Sequence, residues 1–352
     1  MEPNYWEENL KRRRPVWLVL SFCAFILLWS TAVTAKPQYM IKFATVAPEG
    51  STWVKYIKTL DKDLREKSGG RLGLRVYAGG IAGDELDVLR KIRIGQIHCT
   101  GFTGVGFGQI LPMVRVLDLP FLFKNYDEVD RVHRELRPFF ENQFKKKGFD
   151  LLAWAEVGYV YLFSKKPIRT LRDLSGHKVW AWAGDPIAKE TFAVMGVNPI
   201  PLAVTDVTTA INTGMIDTIY APPLGALALQ WYTSMNDMLD LPIVHSTGAI
   251  LISSRYLKKL PRDLIAILRT STEKVMTDLT LALRKQNTEA IQIIKNSGVT
   301  ITPPPAGKDL EEFRSVRAIV ARRLTGKIYP KELLDRITAL LHDSNDASPQ
   351  TR

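Results

Sequence analysis

The chain has 352 residues, room for one large two-lobed domain or two ordinary ones, and its 46% hydrophobic and 24% charged residues are those of a globular protein able to bury a core. A mean hydropathy of −0.05 excludes a polytopic membrane protein, and two cysteines exclude a disulfide scaffold, a zinc ribbon and an iron–sulfur centre. The formal net charge of +12 admits a nucleic-acid partner, which the rest of the chain has to support or remove.

Lys11, Arg12, Arg13 and Arg14 precede an uncharged stretch, Pro15 to Ala35, whose heart is the apolar run Val16 to Trp29. Val33-Thr34-Ala35 then places small residues where a signal peptidase reads them. This pattern is a secretory signal, residues 1–35, with Lys36 to Arg352 as the exported chain. Val16–Ala35 is also long enough to span a bilayer, so an uncleaved anchor is the rival reading. Phe22 before Cys23 is too bulky for a lipoprotein box. Export to the periplasm, tethered or free, removes most of the case for nucleic acid, and Cys99 remains as the one cysteine, a small buried hydrophobe.

Beyond the signal, Ile41 to Val46 alternates like a strand, and a helix follows from Thr52 to Ser68, stopped by Gly69-Gly70. Leu72 to Tyr77 is a second strand, Asp84 caps a helix through Ile94, and Ile97 to Phe102 is a third strand. Gly104-Val105-Gly106-Phe107-Gly108 reads as a flexible loop. The run Lys145-Lys146-Lys147 suits a helix end. Leu151 to Phe163, Lys178 to Trp182, Ile216 to Tyr220 and Ala249 to Ser253 are strand-like, with a helix capped by Thr205 or Asp206 before Gly214. Leu260 to Asn296 is one long helical stretch; Val299 to Thr302 is a strand, and two helices lie near Asp309–Leu324 and Pro330–His342. The polar tail from Asp343 is expected to be disordered. The β-α-β-α-β start implies parallel strands covered by helices, and strands that cross between two α/β lobes imply a ligand cleft that closes by hinge bending.

Catalytic motifs are missing. The five histidines are scattered, and no H-E-x-x-H, G-x-S-x-G, P-loop or G-x-G-x-x-G occurs. No metal or cofactor is expected, and binding is a better class than catalysis.

An ordered set of motifs runs through the chain: Glu66-Lys67-Ser68-Gly69-Gly70-Arg71, Val76-Tyr77-Ala78-Gly79-Gly80 through Asp84, Ile94-Gly95-Gln96-Ile97, Leu119-Pro120-Phe121-Leu122-Phe123, Leu171 to Val179, and Ala210-Ile211-Asn212-Thr213-Gly214-Met215-Ile216-Asp217. From about Tyr39 to about Leu341 the chain thereby resembles the exported solute-binding proteins of TRAP (tripartite ATP-independent periplasmic) transporters, the DctP type. The resemblance implies a two-lobed, type II-like periplasmic-binding-protein fold of parallel or mixed sheets flanked by helices, with a long helix bridging both lobes. Lobe I would be 36–158 plus about 250–285, and lobe II 159–249 plus about 286–342. It also implies membrane permease subunits as partners and, in one branch, a tetratricopeptide-repeat periplasmic protein.

Departures from the family pattern point to the ligand. Where the family carries an arginine that clamps the ligand carboxylate, this chain has Trp180; a second frequent basic position falls on Val160, next to Tyr159; and a usually polar patch after Asp217 reads Thr218-Ile219-Tyr220-Ala221-Pro222-Pro223. A desolvated carboxylate without its guanidinium costs roughly 3–5 kcal/mol. Burying about 300 Å² of hydrocarbon instead contributes roughly 7 kcal/mol before association costs. Trp182 shares a strand face with Trp180, and Trp53, Phe102 and Thr103 sit near the ends of the first-lobe strands, where ligands bind in such folds. The expected ligand is hydrophobic or amphipathic, held by Trp180, Val160, Tyr220, Ala221, Trp182, Phe102, Thr103, Trp53 and Tyr159. The alternatives are a carboxylate held by a relocated Arg75, Lys178 or Arg255, a cation in an aromatic cage with Asp185 or Glu156, and an envelope lipid shuttle or sensor without a classical permease.

Overall fold

The structure is a computed structural model that describes residues 37–342; the expected signal and the polar tail lie outside the described residues. Strand β1 (Tyr39–Ala44) leads into helix α1 (Thr52–Lys67), whose Ser51 cap accepts the Val54 amide and whose Val54, Ile57, Leu60 and Leu64 form the buried stripe. Strand β2 (Leu72–Tyr77) runs parallel to β1. Helix α2 (Glu85–Arg93) begins with a capping box between Asp84 and Asp87, and β3 (Cys99–Thr103) pairs with the other edge of β1.

The expected flexible loop after β3 is a buried one-turn helix, α3 (Gly104–Gly108), followed by a 3-10 helix over Pro112–Asp118. Its three glycines are dictated by close approach rather than flexibility. A Cβ on Gly104 would collide with the Arg115 guanidinium and the Asp118 carboxylate, one on Gly108 would lie 2.5 Å from Arg115 Cδ, and one on Gly106 would lie 2.6 Å from Glu85 Oε2.

Helix α4 (Tyr126–Lys146) ends at the lysine run and feeds β4 (Phe149–Ser164). After a short 3-10 turn come β5 (Trp180–Trp182), α5 (Pro186–Val194) and β6 (Ile200–Leu202), with β5 and β6 forming a parallel pair. Thr205 and Asp206 lie in a 3-10 turn before α6 (Val207–Asn212), and neither side chain makes a capping bond. Strand β7 (Thr218–Ala221) and helix α7 (Pro223–Ala228) precede β8 (Asp237–Ser253). The expected strand Ala249–Ser253 is only the last part of β8; Pro242, His245 and Gly248 hide the rest of the pattern. The chain closes with α8 (Ser254–Leu257), the 35-residue α9 (Arg262–Asn296), β9 (Thr300–Thr302), α10 (Gly307–Leu324) and α11 (Lys331–His342).

The main sheet is mixed, in the order β2-β1-β3-β8-β4-β7 with β9 added to β8. The long antiparallel pair β4–β8 therefore joins a parallel end (β1, β2, β3) to a second end carrying β7 and β9, and the two α/β lobes share these two strands. The pair is irregular at its middle, with a register shift between Glu156 and Gly158, where Gly158 takes φ 114°. Helix α9 crosses that point: Asn287 donates to Val157 O (3.0 Å) and accepts from Leu224 N (3.0 Å), tying β4 to α7. On the same side Arg284 and His245 hold the buried Glu156, with Arg284 Nη2 2.9 Å and His245 Nε2 3.3 Å from Glu156 Oε2. Among the described helices, none is long and apolar enough to cross a membrane.

Candidate functional site

Between the two ends of the sheet lies a cavity of about 710 Å³, within the range that encloses a small organic ligand. Eight of the nine residues expected at the site line it: Trp53, Phe102, Thr103, Val160, Trp180, Trp182, Tyr220 and Ala221. They arrive from five elements. Phe102 and Thr103 end β3, Val160 points in from β4, the two indoles come from β5, Tyr220 and Ala221 end β7, and Trp53 opens α1. Tyr159 does not join them. Strand alternation turns it to the opposite face, where its ring lies 5.0 Å from Tyr126 and 5.4 Å from His245.

Trp180 is both wall and core. It is 2% exposed, its Nε1 donates to Leu202 O (3.0 Å), its ring stacks on Tyr220 at 5.0 Å, and Trp231 meets it edge-on at 5.4 Å. Trp182 lies 6.1 Å from Trp180 and donates from Nε1 to Asp84 Oδ2 (2.9 Å), while its backbone N–H donates to the Tyr220 hydroxyl (3.2 Å). Trp231 and Phe192, neither of them expected from the sequence, complete the aromatic wall.

Arg115 is the one cationic side chain among the described residues lining the cavity; its two terminal nitrogens are already engaged by carboxylates, while its buried Nε has no partner. It is 4% exposed; Nη1 donates to Asp118 Oδ2 (2.5 Å) and Nη2 to Asp185 Oδ1 (2.6 Å). Asp118 also accepts the Thr247 amide at 3.1 Å, and Asp185 caps α5 by accepting the Ile187 and Ala188 amides. One positive and two negative groups leave this trio with a net negative charge. Burial pushes the Asp118 carboxyl up to about 6 although Arg115 opposes it. Glu85, beneath the same cavity, is pushed up to about 7 by burial, against hydrogen bonds from Thr103 N, Thr103 Oγ1 and Gly106 N.

The basic residues offered as alternative clamps lie elsewhere. Arg75 sits over the Tyr77 ring, Lys178 donates to Gly214 O and Arg255 to Arg93 O, none of them in the cavity wall. Of the two carboxylates offered for a cation cage, Asp185 lines the cavity and Glu156 does not. Asp217 supports its turn, accepting the Lys178 amide at 2.8 Å. A signal for the ion trio was present in the sequence: Arg115 and Asp118 stand three apart inside the apolar run Leu111–Phe123, where lone charges have to pair.

The family model of the bacterial extracellular solute-binding proteins, family 7, known as DctP, matches residues 43–325. The chain belongs to the DctP family. Its DctP-family relatives include the sialic acid-binding periplasmic protein of Vibrio cholerae, 24% identical over 82% of this chain and 89% of that one. The C4-dicarboxylate-binding periplasmic protein of Rhodobacter capsulatus is 25% identical over 82% and 86% of the two chains. A solute-binding protein of Chromohalobacter salexigens reaches 30% identity, over 46% of this chain and 49% of that one. The fold is that of the sugar acid binding protein of Advenella mimigardefordensis solved with galactonate, at TM-score 0.83 and 21% identity over 88% of this chain and 99% of that one. A DctP-family chain is a solute-binding component of TRAP transport.

Proposed function

We propose that this DctP-family protein captures an uncharged, hydrophobic or amphipathic molecule in the cavity between its lobes and delivers it in the periplasm to a TRAP permease. The observation that carries this reading is the state of Arg115: the one cation among the described residues lining the cavity is paired with both Asp118 and Asp185. Entry of a carboxylate would desolvate it beside a net negative trio, without a free partner, at a cost of several kcal/mol. The aromatic wall of Trp180, Trp182, Tyr220 and Trp231 favours apolar surface at about 25 cal/mol per Å². Gly158 and the adjoining register shift in β4–β8 are the hinge at which the lobes would part. The test is extraction of the purified protein with organic solvent and mass spectrometry of the extract; a stoichiometric apolar compound is expected.

A second reading has its own support. Relatives and structural neighbours carry carboxylated ligands in their names, among them sialic acid, C4-dicarboxylates, galactonate and D-glucuronate. An organic acid would then take Arg115 from one of its aspartates as the lobes close. A small acid in the aqueous phase of the same extract would favour this reading over the first.

A further inference from the structure

We propose that Asp185 and Asp118 are specificity-determining residues of the cavity: by occupying Arg115 they exclude anionic ligands, and removing either charge opens the site to carboxylates. This rests on the apolar reading above and assigns the residues that enforce it.

The trio is built rather than incidental. Arg115 and Asp118 come from the 3-10 helix, whereas Asp185 comes from the β5–α5 turn 70 positions away. Gly104 and Gly108 leave the space in which the Arg115 side chain lies, since a Cβ at Gly104 would collide with its guanidinium and one at Gly108 with its aliphatic stem. All three residues are buried, and all three line the cavity. An incoming anion therefore meets a guanidinium whose Nη1 and Nη2 each already face a carboxylate, and whose remaining nitrogen, Nε, is buried out of its reach. Glu85, on the same wall, adds to the repulsion wherever it is ionised.

Asp185→Asn isolates the charge. Every hydrogen bond that Asp185 accepts, from Arg115 Nη2, Ile187 N and Ala188 N, falls on Oδ1. An amide oxygen can stay in that place, and asparagine caps helices as well as aspartate does. Asp118→Asn acts from the other element: Oδ1 can keep the Thr247 amide while Nη1 of Arg115 loses its acceptor. Removing a unit charge about 5 Å from a ligand anion, at an effective dielectric of about 20 and with partial screening, changes affinity by about 10- to 100-fold.

The experiment compares wild type, Asp185→Asn and Asp118→Asn after co-purified ligand has been removed. Two probes are used: N-phenyl-1-naphthylamine, neutral and apolar, read by energy transfer from the cavity tryptophans, and D-glucuronate, read by calorimetry. The expected result is that wild type takes the naphthylamine and scarcely takes D-glucuronate. Each variant gains about 10- to 100-fold for D-glucuronate, so that its ratio of D-glucuronate to naphthylamine affinity rises above that of wild type by about that factor. Variants that keep the naphthylamine but gain nothing for D-glucuronate overturn the inference and leave the apolar reading standing. A wild type that binds D-glucuronate at least as tightly as both variants, and does not bind the naphthylamine, overturns the apolar reading itself. Thermal melting reports whether each variant is folded, and Asp118→Asn alone decides the matter should Asp185→Asn lose its helix cap.

Discussion

Replacing Arg115 by methionine keeps the length and bulk of the side chain but abandons two buried carboxylates. Arg115 is 4% exposed and joined to Asp118 and Asp185 at 2.5 and 2.6 Å. Breaking a buried ion pair by removing one partner costs about 3–5 kcal/mol, and that loss is expected at pH 8. Its pH dependence has a definite sign. Asp118 is already raised to about 6 in the folded protein by burial, with Arg115 pulling the other way. Without the guanidinium it rises further above the unfolded value of about 3.9. The folded variant then binds more protons than the unfolded chain, so its stability falls as pH rises from about 4 through the raised pKa. At pH 5 the variant's deficit relative to wild type should be smaller, by about 1.4 kcal/mol for each unit that the loss of Arg115 adds to the Asp118 pKa. Urea unfolding at pH 5 and pH 8 measures both values. Equal losses at the two pH values, or a loss below about 1 kcal/mol at pH 8, would refute the account of a desolvated ion trio.

Glu156 titrates in the opposite direction. Burial raises it, but hydrogen bonds from His245 and Arg284 outweigh that and hold it at about 2. It therefore contributes about 3 kcal/mol above the unfolded pKa, lost as pH falls through about 2; Glu156→Gln should lie well below wild type in urea midpoint at pH 6 and converge with it in strong acid, and parallel curves would contradict this. Gly106→Ala should destabilise by at least about 2 kcal/mol, because its methyl would overlap Phe102 and approach Glu85, whereas Gly101→Ala, whose methyl meets Ile250 Cδ1 at 3.3 Å, should be much milder; similar melting temperatures for the two would contradict the packing argument. Cys99 is buried, and burial raises its thiol far above the usual range, so it should resist a thiol reagent until the protein is unfolded. Prompt labelling of native protein would show that β3 is open to solvent.

Local pattern made the first-lobe elements and α9 legible, because each carries its period and its punctuation: Ser51, Gly69, Asp84 and the unbroken helical run after Pro261. The cavity wall was legible through Trp180, Trp182, Tyr220 and Val160, whose apolar character departs from a polar family pattern. Sequence reasoning missed what long-range contact decides. The part of β8 before Ala249 alternates poorly because Pro242 and Gly248 occupy it, yet its pairing with β4 fixes it as strand. The glycines of α3 looked like flexibility, but their missing side chains make room for Arg115, Phe102 and Glu85, partners that lie beyond any local window. Asp185 was visible as a charge near the site; that it neutralises an arginine 70 positions away was not. Tyr159 was expected beside Val160, but adjacent residues of a strand face opposite ways, and its ring packs near Tyr126 and His245 instead.

The central claim is that an apolar molecule occupies the cavity against Trp180. The most direct measurement is mass spectrometry of solvent-extracted wild-type protein beside a Trp180→Arg variant, which places a guanidinium on the stacked wall of Tyr220 and Trp231. The account predicts a stoichiometric lipid-like or other apolar compound in the wild-type extract and its loss from the variant. A small carboxylate in the aqueous phase of the wild type, with no apolar compound, would contradict it and return the protein to the organic-acid binders among its relatives.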